Sequence, residues 1–161
     1  MSTLSVDTIQ GKTTAGTVAM PSGSVIQVAQ ATLLSTVSFT SSSFNASGLD
    51  IDFTPKFASS KVLIQTNCSI DTKASGRQIY LTIYRDSTRL DSTIVSGAYG
   101  FATGYHGGNR MITSGPCMAL DSPNTTSSIH YELYARGANS DAVEIGSQTV
   151  ASIIICQEIA G

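Results

Sequence analysis

The chain has 161 residues, of which 12% are charged, and its formal net charge is -2. That sparse, balanced charge leaves no basic footprint for nucleic acid and no polybasic patch for a membrane surface. The longest apolar run, Ala151 to Cys156, is the length of a strand and far short of a membrane span. Serine and threonine make up about a quarter of the chain and tryptophan is absent, a composition that favours strands and turns.

The first stretch, Met1 to Val28, is crowded with Thr and Gly and punctuated by Pro21 and Gly23. Its apolar residues, Leu4, Val6, Ile9 and Val18 among them, are too scattered to hold it against conformational entropy. It also lacks the charge load of a disordered tail. The pattern predicts an arm over residues 1–23 that becomes ordered against something else. Leu4, Val6, Ile9 and Val18 are its anchoring residues, and strand addition is one way for them to dock. A basic n-region and an apolar h-region are both missing from this end, so no secretory signal is expected.

From residue 24 to 161, period-two alternation replaces helical periodicity. Strands are predicted over Ser24–Thr32 and Val37–Phe44. Leu49, Ile51 and Phe53 then alternate with Asp50, Asp52 and Thr54 until Pro55. Val62, Ile64, Thr66, Cys68 and Ile70 share one face, with Leu63, Gln65, Asn67 and Ser69 on the other. Ile79, Leu81 and Ile83 alternate with Tyr80, Thr82 and Tyr84, a strand covered on both sides. Arg85-Asp86-Ser87-Thr88 reads as a hairpin turn. Further strands follow over Met111–Leu120 and from Ile129 to Arg136. The final run, Ala151 to Ile159, is nearly all apolar and belongs in the middle of a sheet or in a subunit interface. Leu81, Ile83, Ile153 and Ile155 are the expected interior or trimer-contact residues. Many short strands with frequent turns predict an all-β, jelly-roll-like antiparallel sandwich behind an extended N-terminal arm. With so few charges to blunt its strand edges, such a domain is expected to oligomerise.

Ser96 to Asn109 (SGAYGFATGYHGGN) breaks the rhythm. Its glycines are dense enough to argue against a regular strand, and its aromatics are unusual for a solvent loop. Tyr99, Phe101, Tyr105, His106, Asn109 and Arg110 form either a subunit interface or a binding surface, since aromatic faces stack on sugar rings and Asn, Arg and His orient hydroxyls.

Catalytic constellations are weak. Neither His106 nor His130 sits in a metal-binding spacing, no G-x-S-x-G elbow is present, and the glycine-rich loop matches neither phosphate-binding fingerprint. Asp50 and Asp52 share a strand face, where a solvated outer surface competes with acid–base or calcium chemistry. The cysteines Cys68, Cys117 and Cys156 are far apart, odd in number and set in strand-like runs, so they read as small buried hydrophobes in a reducing compartment. No enzyme activity, cofactor, metal, nucleic acid or membrane insertion is expected.

The string Ser2 to Gln10 (STLSVDTIQ) with Gly11 to Gly16 (GKTTAG) resembles a segment common in virion proteins of marine and cyanobacterial tailed phages. The resemblance continues through Met20 to Val28, Phe53 to Phe57, Leu81 to Ser87, Leu120 to Pro123 and Glu158 to Gly161. It implies a fibre- or decoration-type β domain similar to the trimeric jelly rolls of the C1q and tumour-necrosis-factor type. It implies a homotrimer with apolar strands facing the axis, held on a capsid, tail or fibre base by the arm and assembled in the bacterial cytoplasm. No collagen-like or coiled-coil stem is present, which suits a compact knob binding host surface polysaccharide through the aromatic loop. A capsid or tail decoration unit that binds no receptor is the alternative.

Overall fold

The computed structural model describes residues 20–91 and 99–161. Its strands, in chain order, are β1 (Val25–Leu33), β2 (Val37–Phe39), β3 (Asn45–Phe53), β4 (Lys61–Asp71), β5 (Gln78–Arg85), β6 (Thr88–Arg89), β7 (Ala102–Tyr105), β8 (Ile112–Asp121), β9 (Ile129–Gly137), β10 (Val143–Ile145) and β11 (Ser152–Ile159). Among the described residues the only helical element is a 3-10 turn at Ala138–Ser140. One sheet has the order β1-β11-β4-β10-β2, with β8 on the other edge of β4; the second has β3-β9-β5-β6, with β7 also on β5. All pairings are antiparallel. The chain is thus an all-β sandwich of the jelly-roll kind, its long strands crossing repeatedly between the sheets.

β4 is the spine of the first sheet. It pairs with β11 along Lys61–Asn67, with β10 at Ile70 and Asp71, and with β8 along Val62–Asp71. Its predicted alternation is the observed one: Val62, Ile64, Thr66, Cys68 and Ile70 are buried. β9 has the same role in the second sheet, turning Ile129, Tyr131, Leu133 and Ala135 inward. They meet Leu49, Ile51 and Phe53 of β3, Ile79, Leu81 and Ile83 of β5, and Ile154 and Cys156 of β11 in one core. β5 is buried on both faces as predicted, since Tyr80 and Thr82 are also covered. The three cysteines are buried free thiols, and burial pushes the pKa of each up to about 12.

Polar groups inside the sandwich are tied to specific partners. Arg85 Nη1 donates to Asp121 Oδ1 (2.9 Å) and the Tyr131 hydroxyl to Asp121 Oδ2 (2.8 Å), which joins β5 and β9 to β8 across the core. Glu158 points inward from β11 and is fully buried. It accepts the backbone N–H groups of Lys56 (2.9 Å) and Phe57 (3.1 Å) and the Gln27 side-chain amide (2.7 Å), pinning the turn after β3. Burial alone raises its pKa, but these hydrogen bonds outweigh burial and hold the carboxyl below its usual range.

The structure corrects several expectations. The strand expected over Val37–Phe44 ends at Phe39, where Ser43 N–H turns to Ser41 Oγ (3.0 Å), a local bond that competes with the ladder. The glycine-rich stretch contains a regular strand, β7. Gly104 eases it: a Cβ there would lie 2.6 Å from Ile70 Cδ1 and 2.7 Å from Met111 Cε, so a larger residue would have to push those side-chain ends aside. Leu81 and Ile83 are in the core, but Ile153 and Ile155 are not. Ser152, Ile154, Cys156 and Glu158 take the inward positions, leaving Ile153 and Ile155 half-buried on the outer face. In a uniformly apolar run the period gives no parity; the buried Glu158 carboxylate sets it.

Ile154→Ala is expected to lower the unfolding free energy by about 3 kcal/mol, the range for truncating a fully buried Ile. Ile155→Thr should cost about 1 kcal/mol or less. Urea unfolding at a protein concentration low enough to keep the chain monomeric measures both, and equal losses there would contradict this register.

Candidate functional site

The sandwich has two unlike outer faces. On the first sheet, strand register builds rows across β1, β11, β4 and β8. Val28, Gln157, Leu63 and Leu120 form one row; Gln30, Ile155, Gln65 and Met118 the next; Thr32, Ile153, Asn67 and Pro116 the third. These rows contain no charged residue, and Lys61 and Asp71 bracket them along β4. Val28, Met118 and Leu120 are 57–60% exposed. The amides link the strands: Gln157 Nε2 donates to Gln65 Oε1 (3.4 Å) and the Ser114 hydroxyl to Asn67 Oδ1. Alternating aliphatic and uncharged amide residues over four strands is the composition of a contact surface rather than a solvated one.

The second sheet's outer face is tyrosine-rich and charged. Of the chain's six tyrosines, only Tyr131 points into the core. Tyr84 and Tyr134 stack with centroids 4.0 Å apart. Tyr99 meets Tyr80 edge-on at 5.5 Å, and Tyr105 lies opposite Gln78, which accepts the Tyr80 hydroxyl. Arg136 lies over Tyr80 (4.4 Å) and Phe44 (5.3 Å), and Arg89 lies over the Phe44 ring (4.9 Å). Arg89 Nε donates to Asp91 Oδ1 (2.6 Å), which also accepts the Thr82 hydroxyl. Burial opposes ionisation of Asp91, but the Arg89 and Thr82 hydrogen bonds prevail and lower its pKa.

At the other end of this face, His130 Nδ1 lies 2.8 Å from Asp52 Oδ1 and its Nε2 lies 3.6 Å from Glu132 Oε2. The Asp52 hydrogen bond raises the His130 pKa; burial opposes this, and Asp50, Asp52 and Glu132 add charge attraction. Asp50 and Asp52 therefore stand on an outer strand face. Among the described residues no group of three or more His, Cys, Asp or Glu is placed to hold a metal ion.

The anchoring residues Leu4, Val6, Ile9 and Val18 lie outside the described residues. Of the loop residues, Tyr99 (57%) and Tyr105 (55%) are the exposed aromatics, while Phe101 packs against the core. His106 Nδ1 accepts its own turn's Asn109 N–H (3.1 Å). Arg110 donates to Asp71 and holds that carboxyl below its usual range. The predicted cluster is thus divided: Tyr99 and Tyr105 join the second sheet's outer face, whereas His106, Asn109 and Arg110 form the tip between β7 and β8. Sequence reading missed Tyr80, which meets Tyr99, and the Tyr84–Tyr134 pair on the same face. The signal was available in the alternation of β5 and β9, because those tyrosines oppose core residues.

The class that fold and faces define is a jelly-roll sandwich with an uncharged patch over β1, β11, β4 and β8 on one outer face, edged toward β10 by the Lys73–Glu144 and Arg110–Asp71 pairs, and a tyrosine-bearing charged second face. No protein-family model matches the chain, and no curated protein matches it. Among solved structures it is similar to a chain in the structure of infectious bursal disease virus Gx strain, at 18% identity and a TM-score of 0.45, covering 100% of this chain and 38% of that one. The chain thus spans well under half of that neighbour's length, and a likeness this distant carries no argument. No helix among the described residues is long and apolar enough to cross a membrane.

Because the folded-state pKa of His130 is raised above its ordinary value of 6.5, its contribution to stability is complete below that value and is lost as pH rises through the raised pKa. The melting-temperature advantage of wild type over His130→Gln should therefore shrink between about pH 6 and about pH 8. Thermal melts of both proteins across that range check the sign; an advantage that grows with pH would contradict it.

Proposed function

We propose that the chain is a virion structural protein of a tailed phage, a compact trimeric knob held on the particle by its N-terminal arm. The observation that carries this reading is the uncharged patch of three rows across β1, β11, β4 and β8 on the first sheet. Exposed charges oppose burial and an all-aliphatic patch aggregates, whereas interleaved aliphatic and amide side chains can be desolvated against a like surface. Three copies meeting through this face would bury Val28, Met118, Leu120, Ile153 and Ile155 together and turn the second sheet outward. The resemblance of residues 2–16 to virion segments and the jelly-roll sandwich support the same reading.

In this reading the tyrosine-bearing face is presented to the host surface, where glycans are the ligands. The decoration alternative, a unit that stabilises the particle and binds no receptor, draws its support from the loop tip. There His106 and Arg110 are engaged by their own chain, not turned toward a ligand.

Met118→Glu combined with Leu120→Glu is expected to convert trimer to monomer with an unchanged far-ultraviolet circular dichroism spectrum, read by light scattering after size exclusion. A double variant that remains trimeric removes this face from the assembly. Deleting residues 1–19 should leave a folded trimer absent from purified particles. Normal incorporation of that truncation would overturn the role given to the arm.

A further inference from the structure

Tyr84 of β5 and Tyr134 of β9 form a stacked pair with planes 25° apart, and both are half-exposed. Such a pair can be a simple cross-strand contact, but its hydroxyls differ from those of neighbouring tyrosines. Tyr80 donates to Gln78 and Tyr131 to Asp121, while the Tyr84 and Tyr134 hydroxyls have no hydrogen-bond partner among the described residues. Register sets Asp50, Glu132 and Tyr84 side by side across β3, β9 and β5, with the Asp52–His130 pair one step further along and Tyr134 one step back. With strands about 4.8 Å apart and about 3.4 Å per residue, the patch measures roughly 10 by 14 Å.

Its chemistry restricts what can bind. The outward ring faces of the stacked pair accept the C–H surface of a pyranose, and carboxylate oxygens beside them accept hydroxyl protons. The Asp52 side chain is 75% exposed, and Asp50, Asp52, Glu132 and Asp86 surround a single histidine. Arg89, opposite Tyr84 in register, is held by Asp91, and His130 by Asp52. A sialylated, sulfated or uronic-acid glycan would meet a majority of carboxylates here, with the two adjacent cations already engaged.

We propose that this patch binds a neutral, hydroxyl-rich glycan, a pyranose resting on the Tyr84–Tyr134 pair while Asp50 and Asp52 accept its hydroxyls. The inference rests on the appendage reading and moves its glycan site from the loop onto the sheet. Full-length protein is applied to an array of neutral, sialylated, sulfated and uronic-acid glycans, alongside Tyr134→Ala, Tyr134→Phe, Asp52→Asn and Tyr105→Ala, each checked for folding by circular dichroism. The expected result is binding to neutral glycans only, about tenfold weaker in Tyr134→Ala and Asp52→Asn. Tyr134→Phe, which keeps the ring pair, should be affected less and covers the case in which the alanine variant misfolds. Preference for acidic glycans, or loss in Tyr105→Ala with retention in both Tyr134→Ala and Asp52→Asn, would overturn the inference and leave the appendage reading standing with its site in the loop. Binding to no glycan would overturn both the patch and the receptor role. The trimer and incorporation experiments test the structural role separately.

Discussion

Two-residue alternation along β4 and β9 is the constraint on which the rest of this molecule depends. Each is a central strand, so its inward side chains must fill the core and its outward ones must form the face that its whole sheet presents. Once Val62, Ile64, Cys68 and Ile70 turn inward, Leu63, Gln65 and Asn67 are committed to the outside. Once Tyr131 and Leu133 turn inward, His130, Glu132 and Tyr134 are committed as well. A slip of one residue in either strand would exchange core for surface over an entire sheet.

The consequence is a protein whose two outer faces are chemically segregated. Tyrosines and most charges gather on the second sheet, while the first carries aliphatic and amide groups along β1, β11, β4 and β8 and keeps its charges, the Lys73–Glu144 and Arg110–Asp71 pairs, toward β10. Segregation of this sort suits a subunit that buries one side and shows the other, because the free energy of desolvating a charge is avoided on the first sheet and polar recognition remains available on the second. The inward carboxylates follow a different rule. Glu158 is tolerated beneath the first sheet because backbone N–H groups of Lys56 and Phe57 meet it, and Asp121 because Arg85 and Tyr131 do.

Much of this was legible in the sequence because alternation is a local property. The faces of β3, β4, β5 and β9, the β5–β6 hairpin at Asp86, the burial of the cysteines and the central position of β11 were all readable. Parity failed where the pattern was uniform: Ile153 to Ile155 are identical, and nothing in the sequence marks Glu158, the residue that decides between them, as buried. β10 was invisible because three residues carry too little pattern, and β7 because Gly104 packs against Ile70, which is distant in sequence. The tyrosine face was missed for a related reason. Tyr99 and Tyr105 stood out in a loop, while Tyr80, Tyr84 and Tyr134 were absorbed into strands whose lateral neighbours only the register reveals.

The pairing of β1 with β11 also governs how the chain reaches this structure. Among the described residues β1 pairs only with β11, so the first of these strands waits for the last. During synthesis the segment Val25–Leu33, which contains neither charge nor proline, has no sheet to join until β11 has been made. Topologies that join distant strands fold slowly, and an uncharged waiting strand is the part of a nascent chain most prone to pair with a stranger. The molecule is therefore more vulnerable while it is being made than after it has folded, and its yield in the cell should respond to chaperones and to the pace of translation more than its finished stability suggests.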